Sequence, residues 1–233
     1  LTGRAGVQYV DPRSDIGVGV WVLLLTTGQA AAELGCAVTT FRRLVHAELL
    51  PGLSRRGVRV MVPLEVVQAL RDRAPAPVDR LGADEIAVLR VDVAKQNDGD
   101  RRITTPGDRT GFSAKLPAET LVEALRGWWR CDPASVAAGG VLPVTLSGYV
   151  VAVLTGLDRW ERDERGRHGF PDAVLAGHLT DLVEPVRHLS APRAADRTVA
   201  DLLLGTRLAS HSGGTIAYVT TRPPAERPAH EGS

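Results

Sequence analysis

The sequence predicts an α+β protein in two parts, a small helix-rich N-terminal segment and a larger C-terminal segment of mixed helices and strands. The second part is expected to be built on a small β-barrel or a curved antiparallel sheet. Three observations predict this division. Apolar residues recur at helical spacing through residues 26–70, whereas 85–93 and 141–155 carry alternating or β-branched runs. Between them, "DRAPAPVDRLGAD" at 72–84 places two prolines in an Ala-Pro alternation that breaks any helix and favours an extended path. The expected divisions are a leader at 1–25, disordered or foreign to the natural protein, and a first unit at 26–73. A linker at 74–84, an α+β domain at 85–221 and a disordered tail at 222–233 follow.

In chain order, Thr26 or Thr27 can cap a first short helix whose Ala30, Ala31 and Leu34 form an apolar face, and Gly35 ends it. Cys36 reads as a small buried hydrophobe. After a tight turn a second helix places Phe41, Leu44 and Val45 on one side. Val38, Thr39, Arg42, Arg43 and His46 fall on the other, near the start of the helix, where a recognition helix reaches base edges and phosphates. "LLPG" at 49–52 halts that helix. Residues 53–61, "LSRRGVRVM", then read as a hairpin with Gly57 in the turn and Arg55, Arg56 and Arg59 on its rim. Pro63 opens a third helix with Leu64, Val67 and Leu70 inward. Helix, turn, helix, basic wing and helix in so short a span is the order of a winged helix-turn-helix.

Charge supports an anionic partner for this unit. Residues 26–73 hold seven arginines against four acids, although the whole chain has a formal net charge of only +1. Basic residues are almost all arginine, with Lys95 and Lys115 the exceptions, and Ala, Gly and Val abound. That bias is the bias of a GC-rich bacterial genome, so arginine content by itself carries no weight.

Residues 26–70 resemble the MerR and excisionase-like winged helix-turn-helix family. The matching features are Thr26-Thr27 with Ala30-Ala31, Leu34-Gly35, Thr40-Phe41-Arg42-Arg43-Leu44, and Leu50-Pro51 leading to Arg56-Gly57-Val58-Arg59. Ala37 stands where a serine usually caps the recognition helix, and no long helix follows to make a coiled-coil dimer. The resemblance covers about a fifth of the chain and implies double-stranded DNA as a partner. The expected contacts are Val38, Thr39, Thr40, Arg42, Arg43 and His46 from the second helix, with Arg55, Arg56 and Arg59 from the wing. Arg42 and Arg43 can contact guanine edges or phosphates, whereas the wing arginines position the hairpin on the backbone.

The C-terminal part reads as a strand at 85–93 and an amphipathic helix at 116–129. Strands at 141–146 and 149–155 follow, joined by Ser147-Gly148, then a helix at 193–204 and a strand at 215–220. "RGWWRCDP", a hairpin, Trp160 and "GRHGF" in that order resemble the small PUA-like, ASCH or EVE barrels, which bind RNA, modified bases or small ligands. That resemblance makes Trp128, Trp129, Trp160, Arg167 and His168 candidate ligand contacts. Adjacent tryptophans at a helix end more often plug a core, and neighbours on a helix diverge by about 100°, so only one of Trp128 and Trp129 is a strong ligand candidate.

Other chemistry finds no constellation. His168, His178, His188 and His211 are scattered, Ser212 lacks a nucleophile elbow, and Gly213-Gly214 has no Walker lysine. Cys36 and Cys131 form neither a CxxC nor a Cys/His cluster, which favours a reducing cytosol and predicts no metal. The apolar run at 16–25 is too short to span a bilayer and lacks a basic flank, so no membrane or export role is expected. Met61 is the only methionine, so the chain as written is expected to be a fragment, a processed chain or a non-AUG product.

The expected function is that of a bacterial, cytoplasmic, nucleoid-associated transcriptional regulator without enzymatic activity or cofactor. A C-terminal module would sense a small-molecule or modified-base ligand or assemble a homodimer. The alternative is a phage, plasmid or defence-associated architectural or modified-nucleic-acid-binding protein whose C-terminal part also contacts nucleic acid. The two parts are expected to fold independently, with proteolysis falling at 71–84.

Overall fold

The computed structural model describes residues 7–9, 22–94, 111–210 and 214–222. In the N-terminal unit, β1 (Val7–Tyr9) and β2 (Val22–Thr26) precede α1 (Thr27–Leu34) and α2 (Val38–His46). The hairpin β3 (Ser54–Arg56) and β4 (Arg59–Pro63) follows, then α3 (Leu64–Arg71). The strands form an antiparallel sheet in the order β1-β2-β4-β3.

Each helix boundary has a local cause. Thr26 Oγ1 accepts the Gln29 N–H while Gln29 Oε1 accepts the Thr26 N–H, a reciprocal capping box that starts α1. Gly35 ends it in the left-handed conformation, at φ 72°. Ala37 supplies no side-chain cap to α2, so that helix relies on burial. Phe41 and Leu44 are fully buried, as are Ala30 and Ala31 of α1 and Val67 and Leu70 of α3. Leu64 is half-buried and Val66 takes the inward place beside Val67.

The boundary drawn at residue 25 is corrected. β2 starts at Val22 and pairs with β4, Leu24 opposite Pro63, so the end of the supposed leader is a strand of the N-terminal sheet. The physical reason is that β4 has an edge for β2 to satisfy, and Leu24 is buried in doing so. Residues 10–21, most of the apolar run among them, lie outside the described residues.

The C-terminal part holds β5 (Glu85–Arg90), α4 (Ala118–Leu125), α5 (Pro133–Gly139), β6 (Leu142–Leu146) and β7 (Tyr149–Thr155). It continues through β8 (Glu161–Arg162), β9 (His168–Gly169), β10 (Val174–Asp181), β11 (Val186–Leu189), α6 (Ala194–Leu203) and β12 (Ile216–Thr220). Its six-stranded sheet runs β11-β10-β7-β6-β5-β12, antiparallel except for the parallel pair β5 and β6. Every residue of β6 and β7 is buried, which is why both read as unbroken apolar runs. Ser147 and Gly148 both take positive φ, 54° and 84°, the two-residue turn whose twist suits a hairpin.

Of the barrel or antiparallel sheet expected here, the described residues form a sheet that ends in the edge strands β11 and β12, with one parallel pair. The helix expectation is overturned. The helix expected at 116–129 covers only 118–125. A Cβ on Gly127 would lie 2.8 Å from the Gly169 Cα, so the chain there runs backbone to backbone with β9. Trp129 and His168 exchange both backbone hydrogen bonds at 2.8 Å, an extended pairing that a helix forbids.

The linker is also not a free tether. In the Ala-Pro alternation the prolines carry no N–H, but Ala74 offers a carbonyl and Ala76 an N–H on the same edge, and Arg207 bonds to both at 2.8 Å. A 3-10 turn at Val78–Arg80 and the buried Leu81 complete the packing. Further backbone bonds join Ala114 to Ala47 and Leu182 to Leu49, and one apolar cluster runs from Ala30 to Ile216. Tyr149, 5% exposed, donates its hydroxyl to the Leu70 carbonyl at 3.0 Å, tying β7 to the end of α3. Tyr149→Phe is expected to cost about 0.5–1.5 kcal/mol, read as a lower urea midpoint at unchanged slope.

Candidate nucleic-acid interface

The turn at Gly35-Cys36 and the burial of Phe41 and Leu44 fix which face of α2 stays outside. Val38, Arg42 and His46 follow one another at i, i+4 and i+8 and are all exposed, with Thr39 beside them. Arg42 and His46 form one wall of a groove of about 500 Å³. The hairpin tip, Val58 to Val60, forms the facing wall, and Thr26 to Gly28 line the same groove. In the hairpin, Arg56 pairs across the strands with Arg59 and Arg55 with Val60. Gly57 at φ 58° allows the tight turn, and it leaves Val58 99% exposed at the tip.

Among the described residues, no carboxylate lies within ion-pairing distance of Arg42, Arg55 or Arg59. Three arginines without a carboxylate partner among the described residues thus sit on α2 and the hairpin. Other arginines of this unit are used internally. Arg71 pairs with Glu33 at 2.9 Å, and Arg73 donates to the Val183 carbonyl.

Thr40 and Arg43 separate from the rest of the expected set. Ser147 Oγ donates to the Thr40 carbonyl at 2.9 Å, and Arg43 Nε sits 3.2 Å from Asp92 Oδ1. Both residues line a second cleft of about 550 Å³, which Arg90, Asp92 and Ser147 share. Arg43 lies about 100° around the helix from Arg42, which puts it on the flank that faces the C-terminal sheet. The sequence treated the two as equivalent because the position of that sheet has no signature in residues 26–73.

Among the C-terminal candidates, Trp129 is 8% exposed and donates Nε1 to the Leu125 carbonyl at 3.2 Å, the behaviour of a core plug. Trp128 is 40% exposed and lies across Gly169. Arg167 is committed to Asp163, whose two oxygens take its Nε and its backbone N–H at 2.7 Å. That ion pair and two further backbone bonds hold the Asp163 carboxyl below its ordinary range despite the cost of desolvation. His168 is half-buried, and its Nδ1 has no partner among the described residues. Trp160, 40% exposed, directly precedes β8. These residues gather around the β8-β9 ribbon.

A stacked pair was missed by sequence. His178 and His188 face each other across β10 and β11 with ring centroids 5.0 Å apart, a contact between residues that only the strand register brings together. Burial and the neighbouring His188 push the His178 pKa down. Burial also pushes the Cys131 thiol up to about 11, helped by the charge of Asp132, so it is a poor ligand or nucleophile near neutrality. No cluster of three metal-ligating side chains occurs among the described residues, and none of their helices is long and apolar enough to cross a membrane. His211, Ser212 and Gly213 lie outside them.

Comparison of the chain with protein-family models, curated proteins and solved structures gives no match.

Proposed function

We propose that the chain binds double-stranded DNA as a bacterial transcriptional regulator, its N-terminal unit acting as a winged helix-turn-helix. One observation carries this reading: α2 presents Arg42 and His46 across a single groove from the hairpin tip with Arg59, and Arg42, Arg55 and Arg59 have no carboxylate partner among the described residues. In this reading α2 enters the major groove with Val38, Thr39, Arg42 and His46 toward the bases. The hairpin follows the adjacent backbone through its arginines. Arg43 and Thr40 face the C-terminal sheet and set how α2 is seated. The alternative, nucleic-acid binding by a C-terminal barrel, draws less support because that sheet is open.

Salt dependence tests the reading at the hairpin. Binding of the full chain to a fluorescent duplex should weaken log-linearly with salt. Arg55→Ala or Arg59→Ala should lower the slope by roughly one per lost phosphate contact, on selected and random sequences alike. A slope that neither substitution changes would remove the hairpin from the interface.

A further inference from the structure

The α1-α2 turn, the linker and the β6-β7 hairpin enclose a cleft of about 520 Å³, in the size range of small-molecule sites. Leu34, Leu44 and Pro75 supply apolar wall. Arg73 and Arg207 line it as well, and no acidic residue does. The neighbouring cleft at Arg43, by contrast, contains Asp92.

The two guanidinium groups are incompletely used. Arg73 donates one Nη to the Val183 carbonyl, but its Nε is buried with no partner among the described residues. The Arg207 guanidinium reaches the Arg71 carbonyl at 3.5 Å, a long contact. Tyr149 lines the same cleft as both arginines. Paired guanidinium donors beside apolar wall suit a carboxylate or phosphate carried on an apolar body.

We propose that this cleft binds a small organic anion, with Arg73 and Arg207 holding its carboxylate or phosphate. Thr40 and Leu44 of α2 line the same space, so the anion would touch the helix assigned to DNA. The binding site stands independently of the DNA reading; only its coupling to α2 rests on it.

The test titrates the full chain with benzoate and with phenyl phosphate, using benzyl alcohol as the neutral probe, followed by calorimetry and thermal shift. At least one anion should bind saturably and raise the melting temperature, and benzyl alcohol should not. Arg207→Gln should weaken binding about tenfold or more, and Arg207→Lys should restore part of it. Arg207 is the decisive position because its backbone, not its side chain, holds the linker. Arg73→Gln should act in the same direction. Saturable binding by neither anion, or binding undiminished in both glutamine variants, would overturn the site. Duplex binding measured with and without the anion separates the two readings. Anion binding without DNA binding would sink the DNA reading and leave the cleft, whereas DNA binding without anion binding would do the reverse.

Discussion

Arg42→Ala is expected to flatten the preference of the full chain for a selected duplex over random DNA by about 1–3 kcal/mol, roughly 5- to 150-fold in the ratio of dissociation constants. Arg42 lies in the groove between α2 and the hairpin tip and has no carboxylate partner among the described residues, so its guanidinium is available for a bidentate guanine contact. Arg43→Ala should do less to the ratio, because that side chain is turned to Asp92. Equilibrium anisotropy on the two duplexes, for the two variants side by side, checks both statements. A ratio that survives Arg42→Ala and collapses in Arg43→Ala would show that the other flank of α2 faces the bases.

Phe41→Ala should destabilise the protein by about 3–5 kcal/mol, a large share of the roughly 5–15 kcal/mol that holds a typical domain folded. Phe41 is fully buried in the helical unit, so truncating it leaves a cavity in that core. The loss should appear in a single transition. One apolar cluster joins the N-terminal helices to the C-terminal sheet, and Arg207 holds the linker between them, so unfolding by urea should be cooperative across both parts. Coincident circular dichroism and tryptophan fluorescence curves would agree with this. Trp128, Trp129 and Trp160 lie in the C-terminal part and Trp21 precedes β2, while helices occur in both parts, so more than one transition in either curve would mean that the parts unfold apart.

What was legible in the sequence is what local chemistry decides. Thr26 as a cap, Gly35 as a stop, Gly57 in a hairpin and Ser147-Gly148 between two apolar runs all follow from conformational preferences of a few neighbouring residues. The structure places each where those preferences require. Burial of Phe41 and Leu44, and exposure of Arg42 and His46, followed from helical spacing alone. α5 was missed although Asp132-Pro133 signals a helix start, with the Asp132 carboxylate accepting the Ala134 N–H. β10 was missed because Gly177 and His178 interrupt its apolar run. A Cβ on Gly177 would meet the His188 carbonyl and two leucine side chains at 3.0 Å, so a larger residue there would press on all three.

The candidate site was less legible wherever it depends on what one part does to the other. Nothing in 72–84 reveals that Arg207, far along the chain, will satisfy Ala74 and Ala76, so the linker reads as loose when it is bonded. Arg43 reads as an interface residue until Asp92 is placed beside it. The cleft of Arg73 and Arg207 cannot be assembled from either segment alone, since each arginine by itself is an ordinary charge on a helix end or a loop.

The central claim is that α2 and the hairpin form one DNA-reading surface, and the most direct measurement is in vitro selection of duplexes from a random pool. It should be run on the full chain and on a variant with Arg42, Arg55, Arg56 and Arg59 all changed to Ala. The unaltered chain should enrich a discrete motif and bind it with a steep salt dependence, and the variant should enrich nothing and bind weakly even at low salt. Enrichment of the same motif by both proteins, or equal binding of both to DNA at low salt, would contradict the claim and leave residues 26–70 as a packed helical unit with solvated arginines.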